Sequence, residues 1–456
     1  MRRGNVGPSG WGPAVVLTAI VLVDAMDQGV VPGTLSKLQA DWGFSDTLGG
    51  AIPTAALIMG FLALIPAGWM ADHLRRTRLL TVVVASWALL SGLSALAVSF
   101  LMFFVVRMVL GGAATIDNPV SSSLLADFYP PLARGRVFAV QRLMVVIGTG
   151  IGIAIGGLVG GWLGWRAAYV VVIVPGLVVA LLVARLREPE RGAMDDVDLD
   201  GNPVAEEDET GGVGGTGGIG GVHESPAAVL EEVEETAPHL EGVGVKAYLR
   251  EFVHVLDIPT VRTVYFGLAV TVLGFNGIAY WLPSYLERAF DLSEGGAAAV
   301  TAVLAVTAGI IGAFVGGTIG DRAEARRSGA RIGLTGGALV IGACLLIVGF
   351  AVQVLVVTAV VVCIGATFLS FAFPNMAAAA AEVLPARRRG TGFAMFGFLL
   401  TVGSAAGPLV IGAISEASGS LQLATVLAVL PAIPGALVVL RGRRRFAADV
   451  AAARAG

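Results

Sequence analysis

The sequence predicts an all-α membrane protein of twelve transmembrane helices, arranged as two pseudo-symmetric six-helix halves. Three observations carry that prediction. The 456 residues are 56 % hydrophobic and only 14 % charged, with a mean hydropathy of +0.82. The apolar residues gather into repeated runs of about 20, each ~30 Å long as a helix and so able to cross a bilayer. Segments of the first half also recur in the second at a nearly constant offset.

Taken in order, the predicted spans are 12–34, 47–70, 78–98, 101–126, 137–163, 166–186, 260–286, 294–320, 330–351, 354–382, 390–416 and 420–440. The first follows a short MRRGN head without a small-residue cleavage site, so it is expected to be retained and not removed as a signal peptide. Basic residues sort into alternate loops. Arg2 and Arg3, Arg75/Arg76/Arg78, Arg134 and Arg136, Arg322/Arg326/Arg327, Arg387 to Arg389 and Arg441/Arg443/Arg444/Arg445 share one side. The opposite loops are short and carry little beyond Lys37, Arg166 and Arg288. The positive-inside rule then predicts a multi-pass protein of the cell membrane with both termini and the long middle loop cytoplasmic.

The repeat divides the chain. G-x-x-x-D at Gly68/Asp72 returns at Gly317/Asp321, an offset of 249, each time before an arginine cluster. ADFYPPLARGRVFA (126–139) and AEVLPARRRGTGFA (381–394) both read A-[DE]-x-x-P-x-x-x-R-G-x-x-F-A, an offset of 255. Two parallel halves follow, 1–186 and 260–456, the second ending in a basic tail; such a repeat suits alternating access around a central site. The linker 187–259 is different in kind. Residues 192–245 hold fourteen acidic residues and no Lys or Arg, so removing them from the net charge of −3 leaves +11. Its GGVGGTGGIGG core cannot bury enough apolar area to fold and is expected to be disordered. The segment 244–259 has helical apolar spacing and reads either as a short amphipathic helix on the membrane surface or as a solvated linker helix.

Composition also excludes chemistry. Lys37 and Lys246 are the two lysines, so no phosphate-binding G-x-x-x-x-G-K-[ST] loop exists. Cys344 and Cys363 lie in apolar runs with no metal spacing, and the four histidines lie outside those runs. No metal, no cofactor and no nucleic-acid partner is expected, and enzymatic activity is not. Two membrane aspartates could suggest an intramembrane protease, but a G-x-G-D context is missing and the repeat would go unexplained.

The loop GWMADHLRRTR (68–78) places Gly68 where helices cross closely and Asp72 beside Arg75 and Arg76; Gly317, Asp321 and Arg322 repeat the pattern. It reads as a conformational latch, or more plainly as a basic loop that sets topology. This motif, the repeat and R-x-x-x-G in FFVVRMVLGGAA (103–114) resemble the major facilitator superfamily. GTGIGIAIGG (148–157) resembles its fifth-helix glycine series, with Ile153 where a proline is usual. A closer resemblance is to Spinster-like lipid transporters. Their first-helix N-Y-x-D-R aligns with Asp24 to Gln28, and their R-G-x-x-G-x-G-E-A with Arg107 to Thr115. REPERGA (187–193) and GFNGIAYWLPSYL (274–286) resemble two further motifs of that group. Gln28 stands where that group has arginine, Ala114 where it has glutamate, and Asp24 where it has asparagine. Asp117 lies one turn from Ala114 on the same helix face.

In that superfamily the first and fourth helices line the central cavity. Asp24 and Asp27 lie ~18 and ~22 Å above Gly12 at 1.5 Å per residue, and Arg107 lies ~20 Å up in a ~30 Å core. Asp27 and Arg107 are therefore expected at one level. They form either a titrating pair, in which protonation of Asp27 releases Arg107, or a permanent structural pair. Arg142, beside Gln141, can reach upward toward Asp117 or merely snorkel to the interface. The second half offers Asn276, Tyr280, Trp281, Phe371 and Asn375, a largely apolar wall with Asn276 at the repeat position of Asp27. A cavity charged on one side suits an amphipathic substrate with one tail. The resemblance implies a transporter of lysophospholipid-like substrates, here expected to be proton-coupled and monomeric. Asp27, Asp117 and Asp24 are then the candidate proton carriers, and Arg107 the head-group contact. Proton-driven efflux of drugs or other small organic molecules is the alternative.

Overall fold

The computed structural model describes residues 6–194, 197, 252–385 and 389–455. Among these the first half folds as α1 (Gly12–Trp42), α2 (Asp46–His73), α3 (Arg76–Ala95), α4 (Phe100–Phe128), α5 (Pro131–Leu163) and α6 (Trp165–Ala184). A short turn, Val255–Asp257, leads to α7 (Pro259–Phe290), α8 (Glu294–Arg326), α9 (Ala330–Ala351), α10 (Leu355–Ser370) and α11 (Ala372–Val383). The chain ends in α12 (Arg389–Ser418), α13 (Leu421–Val429) and α14 (Ala432–Ala455). Twelve stretches among the described residues are long and apolar enough to span a membrane. The expected linker core and residues 244–251, half of the segment 244–259, lie outside the described residues.

One end of the bundle carries the arginine clusters and is called the basic end. At the far end the turns are short because glycine and serine stop and start helices there. Gly43 ends α1 at φ 64°, a left-handed conformation that costs glycine little, and Ser45 caps α2 by accepting from the Leu48 N–H. Ser99, Ser293 and Ser420 cap α4, α8 and α13 in the same way.

Three elements differ from the sequence expectation. The first helix continues to Trp42 instead of ending at 34, because Ser36, Lys37, Gln39 and Asp41 all find polar partners there. The tenth span breaks at Phe371, where the Asn375 side chain donates to the Phe371 carbonyl at 2.9 Å. The basic tail is helical. Its alanine-rich FAADVAAARA favours helix, and Asp449 accepts the Thr260 N–H at 2.9 Å, tying α14 to the start of α7.

Helices α2 with α12 and α5 with α8 pack between the two groups of six spans. Helix α1 lies along α5 almost backbone to backbone. A β-carbon on Gly152 would collide with the Met26 carbonyl, and one on Gly156 would sit 2.7 Å from the Val30 carbonyl. The fifth-helix glycine series thus has two faces: Gly148, Gly152 and Gly156 admit α1, while Gly150 and Gly157 admit Val306 and Ala298 of α8. Ile153 packs in the first of these seams, buried beside Gly29 and Gly33.

Candidate functional site

The close α1–α5 seam fixes the rotation of α1, and with it the direction of its two aspartates. Asp27 is 0 % exposed. Arg107 of α4, 4 % exposed, brings Nη2 to 2.9 Å from Asp27 Oδ2, and the same nitrogen donates to the Asp27 carbonyl at 3.3 Å. Ser91 of α3 donates its hydroxyl to Asp27 Oδ1. The Arg107 guanidinium also stands 5.6 Å from the centre of the Tyr169 ring, whose hydroxyl lies 3.2 Å from that of Thr34. Four helices therefore meet at one ion pair.

Asp24 sits one turn nearer the basic end and is only partly buried. Its Oδ2 accepts from Gln28 Nε2 at 2.8 Å, and Gln28 is exposed. Asp24 Oδ1, Asp27 Oδ2 and Arg107 Nη1 are buried atoms without hydrogen-bond partners among the described residues, although Asp27 Oδ2 has the Arg107 charge at 2.9 Å. Two carboxylates and one guanidinium leave the cluster with one negative charge in excess.

The other expected site residues are dispersed. Asp117 is buried on α4, ten residues or ~15 Å of helix from Arg107. Gln141 is buried and Arg142 is exposed on α5. Asn276 donates to Ser404 Oγ at 3.1 Å, joining α7 to α12. Tyr280 donates to the Gly49 carbonyl at 2.8 Å, and Trp281, 0 % exposed, donates to the Pro408 carbonyl at 2.9 Å. Asn375 joins α11 to α8 through the Gly316 carbonyl at 2.9 Å, with Phe371 buried at the break beside it. In this state, Tyr280, Trp281 and Asn375 hold helices together and present no open wall.

Around the expected latch, the side chains of Gly68 and Asp72 lie outside the described residues. Arg75 is exposed, 3.5 Å from Glu188. Arg76 is buried, paired with Asp127 and donating to Ser123 Oγ at 2.9 Å. Arg331 does the same in the second half, 2.7 Å from both Asp321 and Glu382. Arg322 is exposed, and a β-carbon on Gly317 would lie 3.9 Å from Pro374 Cβ. Sequence reasoning missed Arg331, Asp127 and Glu382, although the signal was there: the offset of 255 carries Arg76 onto Arg331 and Asp127 onto Glu382. Glu188 caps α3 from the segment after α6. Burial pushes its carboxyl up, but the Arg76 N–H, the Thr77 hydroxyl and the Arg76 charge together hold it below its ordinary 4.5.

A far-end cluster was also missed. Asp46 accepts two hydrogen bonds from Arg288 at 2.7 and 2.8 Å, one from Gln39 at 2.8 Å and one from Ser415 at 2.6 Å. Lys37 lies 3.2 Å from Glu294, and Ser36 donates to Ser284 at 3.2 Å. All of these contacts except Gln39–Asp46 cross between the first six helices and the rest, whereas Arg76–Asp127 and Arg331–Glu382 each stay on one side. The two groups are therefore clasped at the far end.

A family model for the major facilitator superfamily matches residues 17–408 and, again, 264–455. Over 187 residues, 40 % of this chain and 35 % of the relative, the sequence is 25 % identical to protein spinster homolog 1 of Xenopus tropicalis. Over 142 residues, 31 % of this chain and 32 % of the relative, it is 29 % identical to the gallate transporter of Pseudomonas putida. The matched part spans about a third of the length of these relatives. The fold is similar to the crystal structure of a bacterial homolog of the human lysosomal transporter Spinster, inward-facing and unoccupied. Its TM-score is 0.77 at 20 % identity, covering 97 % of this chain and 98 % of that one. The chain is a multi-pass membrane protein and belongs to the major facilitator superfamily, within which it is similar to Spinster relatives.

Proposed function

We propose that this protein is a proton-coupled secondary transporter of amphipathic, single-tailed lipids, working by alternating access between halves 1–186 and 260–456. The observation that carries the reading is the cluster of buried Asp27 and Arg107 with partly buried Asp24. Three ionisable groups inside a membrane domain are costly, and the one unbalanced negative charge calls for a cation, of which the proton is the smallest. Asp117 is a second acid within the same half. Arg107 and Gln141, with Asn276 and Phe371 opposite, mark the region where a head group and a tail would lie. The likeness to Spinster relatives supports a lipid-like substrate.

With the basic end cytoplasmic, the far-end clasp closes the outer side, so this conformation opens inward. Arg76 with Asp127 and Arg331 with Glu382 brace the basic end of each half, where the Gly68/Asp72 and Gly317/Asp321 loops would engage when the transporter turns outward. The test is uptake of a lysophospholipid into proteoliposomes by the purified chain, with a two-tailed phospholipid as the negative control. The glycine series of α5 favours a second reading, proton-driven export, and the gallate transporter match favours a small organic molecule as its substrate. A lysolipid panel that fails while small organic substrates move would establish that reading instead.

A further inference from the structure

The geometry points to Asp24, not Asp27, as the carboxylate that takes up the coupled proton. This rests on the proton-coupled reading above and assigns its residue. Asp27 is held as an anion: Oδ1 accepts the Ser91 hydroxyl, and Oδ2, which has no hydrogen-bond partner among the described residues, is ion-paired with the Arg107 guanidinium at 2.9 Å. A proton on Asp27 would leave Arg107, 4 % exposed, as a buried charge stripped of its counterion. Asp24 is placed differently. Its Oδ2 holds one neutral amide and its buried Oδ1 accepts nothing among the described residues. An ionised oxygen in that position forfeits its hydration without replacement. Adding a proton to Oδ1 removes the unpaired charge, breaks no ion pair and brings the cluster to neutrality.

The surroundings agree. Facing Asp24 on its own helix are Asp27 and Gln28; from α4 comes Arg107, backed by Tyr169 of α6, and Tyr280 stands on α7. The face of α5 against α1 is glycine, and α5 carries no ionisable residue between Arg142 and its end. Helix α8 carries none between Glu294 and Asp321. Asp117 and Arg142 lie further toward the basic end. Among the described residues no ion pair is formed by Asp24, whereas Asp27 has Arg107 at 2.9 Å. Asp24 is partly exposed beside exposed Gln28, so a proton has a way in; Asp27 is sealed.

The experiment is infrared difference spectroscopy of the full chain in lipid nanodiscs, acid minus alkaline, reading the C=O stretch of a protonated carboxyl shielded from solvent. That band should be present in the wild type, absent in Asp24→Asn and retained in the charge-balanced pair Asp27→Asn/Arg107→Gln. Gln28→Leu removes the amide that favours ionised Asp24, so it should move the band's titration midpoint upward in pH. A band that survives in Asp24→Asn, or a midpoint that Gln28→Leu leaves unmoved, overturns the assignment. A parallel transport assay separates this from failure of the broader reading. If wild-type transport ignores a pH gradient, proton coupling itself is wrong. If the wild type responds to the gradient and Asp24→Asn responds equally, only the assignment to Asp24 is wrong.

Discussion

Asp27 and Arg107 illustrate what a single pair can be asked to do inside a membrane. Each is buried, and neither has a second counterion within contact, so removing one strands the other. Breaking a buried pair of this kind costs about 3–5 kcal/mol, far more than an exposed ion pair contributes. Arg107→Leu should therefore lower the unfolding temperature markedly in detergent, and Asp27→Asn/Arg107→Gln should recover most of the loss. Equal stability of the two variants would contradict a paired role. The level of this pair was legible in the sequence, because helix rise alone puts residues 27 and 107 at one height. What could not be read was that Asp24 stands apart from it. That depends on the rotation of α1, which is set by the glycine seam with α5 and not by spacing along α1.

At the scale of elements, the same seam makes a prediction with its own control. Gly152→Val should weaken folding, since even a β-carbon meets the Met26 carbonyl; overpacking of this sort costs about 1–3 kcal/mol. Gly397→Ala should be silent, because nothing lies within 4 Å of a β-carbon there. Thermal unfolding of both variants checks the pair. Glu188 gives a pH prediction. Its carboxyl is held below 4.5 in the folded protein, so the α3 contact contributes fully above that value and fades as the pH falls through the lowered one. Glu188→Gln should flatten the acid side of a stability–pH curve; an unchanged acid limb would mean that other carboxylates set it. Helix number and position were legible because each run is apolar for about 20 residues. The break at Phe371 was not, since apolar composition is continuous across it and the Asn375 bond to the Gly316 carbonyl, which fixes that side chain beside the break, is tertiary.

For the whole molecule, the clasp at Asp46 and Lys37 is what joins the first six helices to the rest at the far end. Arg288 touches Asp46 through two hydrogen bonds, a geometry that adds direction as well as charge. Arg288→Ala should therefore shift the population toward a far-end-open state. Cysteine labelling at Ser284 would read it, with faster modification expected in the variant and equal rates counting against the clasp. These contacts were invisible in the sequence because Lys37, Asp46, Arg288 and Glu294 lie at or just beyond the ends of the predicted spans, among polar residues that read as ordinary surface. Only the approach of the two halves pairs them. The basic-end braces are the opposite case: the repeat contained them, and matching charges across the 255 offset would have found them.

The central claim is that substrate movement is driven by protons through this bundle. The direct measurement is lysophosphatidylcholine uptake into proteoliposomes of the purified chain, compared with and without an imposed pH gradient. The account predicts accumulation against the lysolipid gradient that collapses when a protonophore dissipates the pH difference. Lysolipid uptake that only equilibrates, indifferent to the pH gradient and to the protonophore, would contradict it.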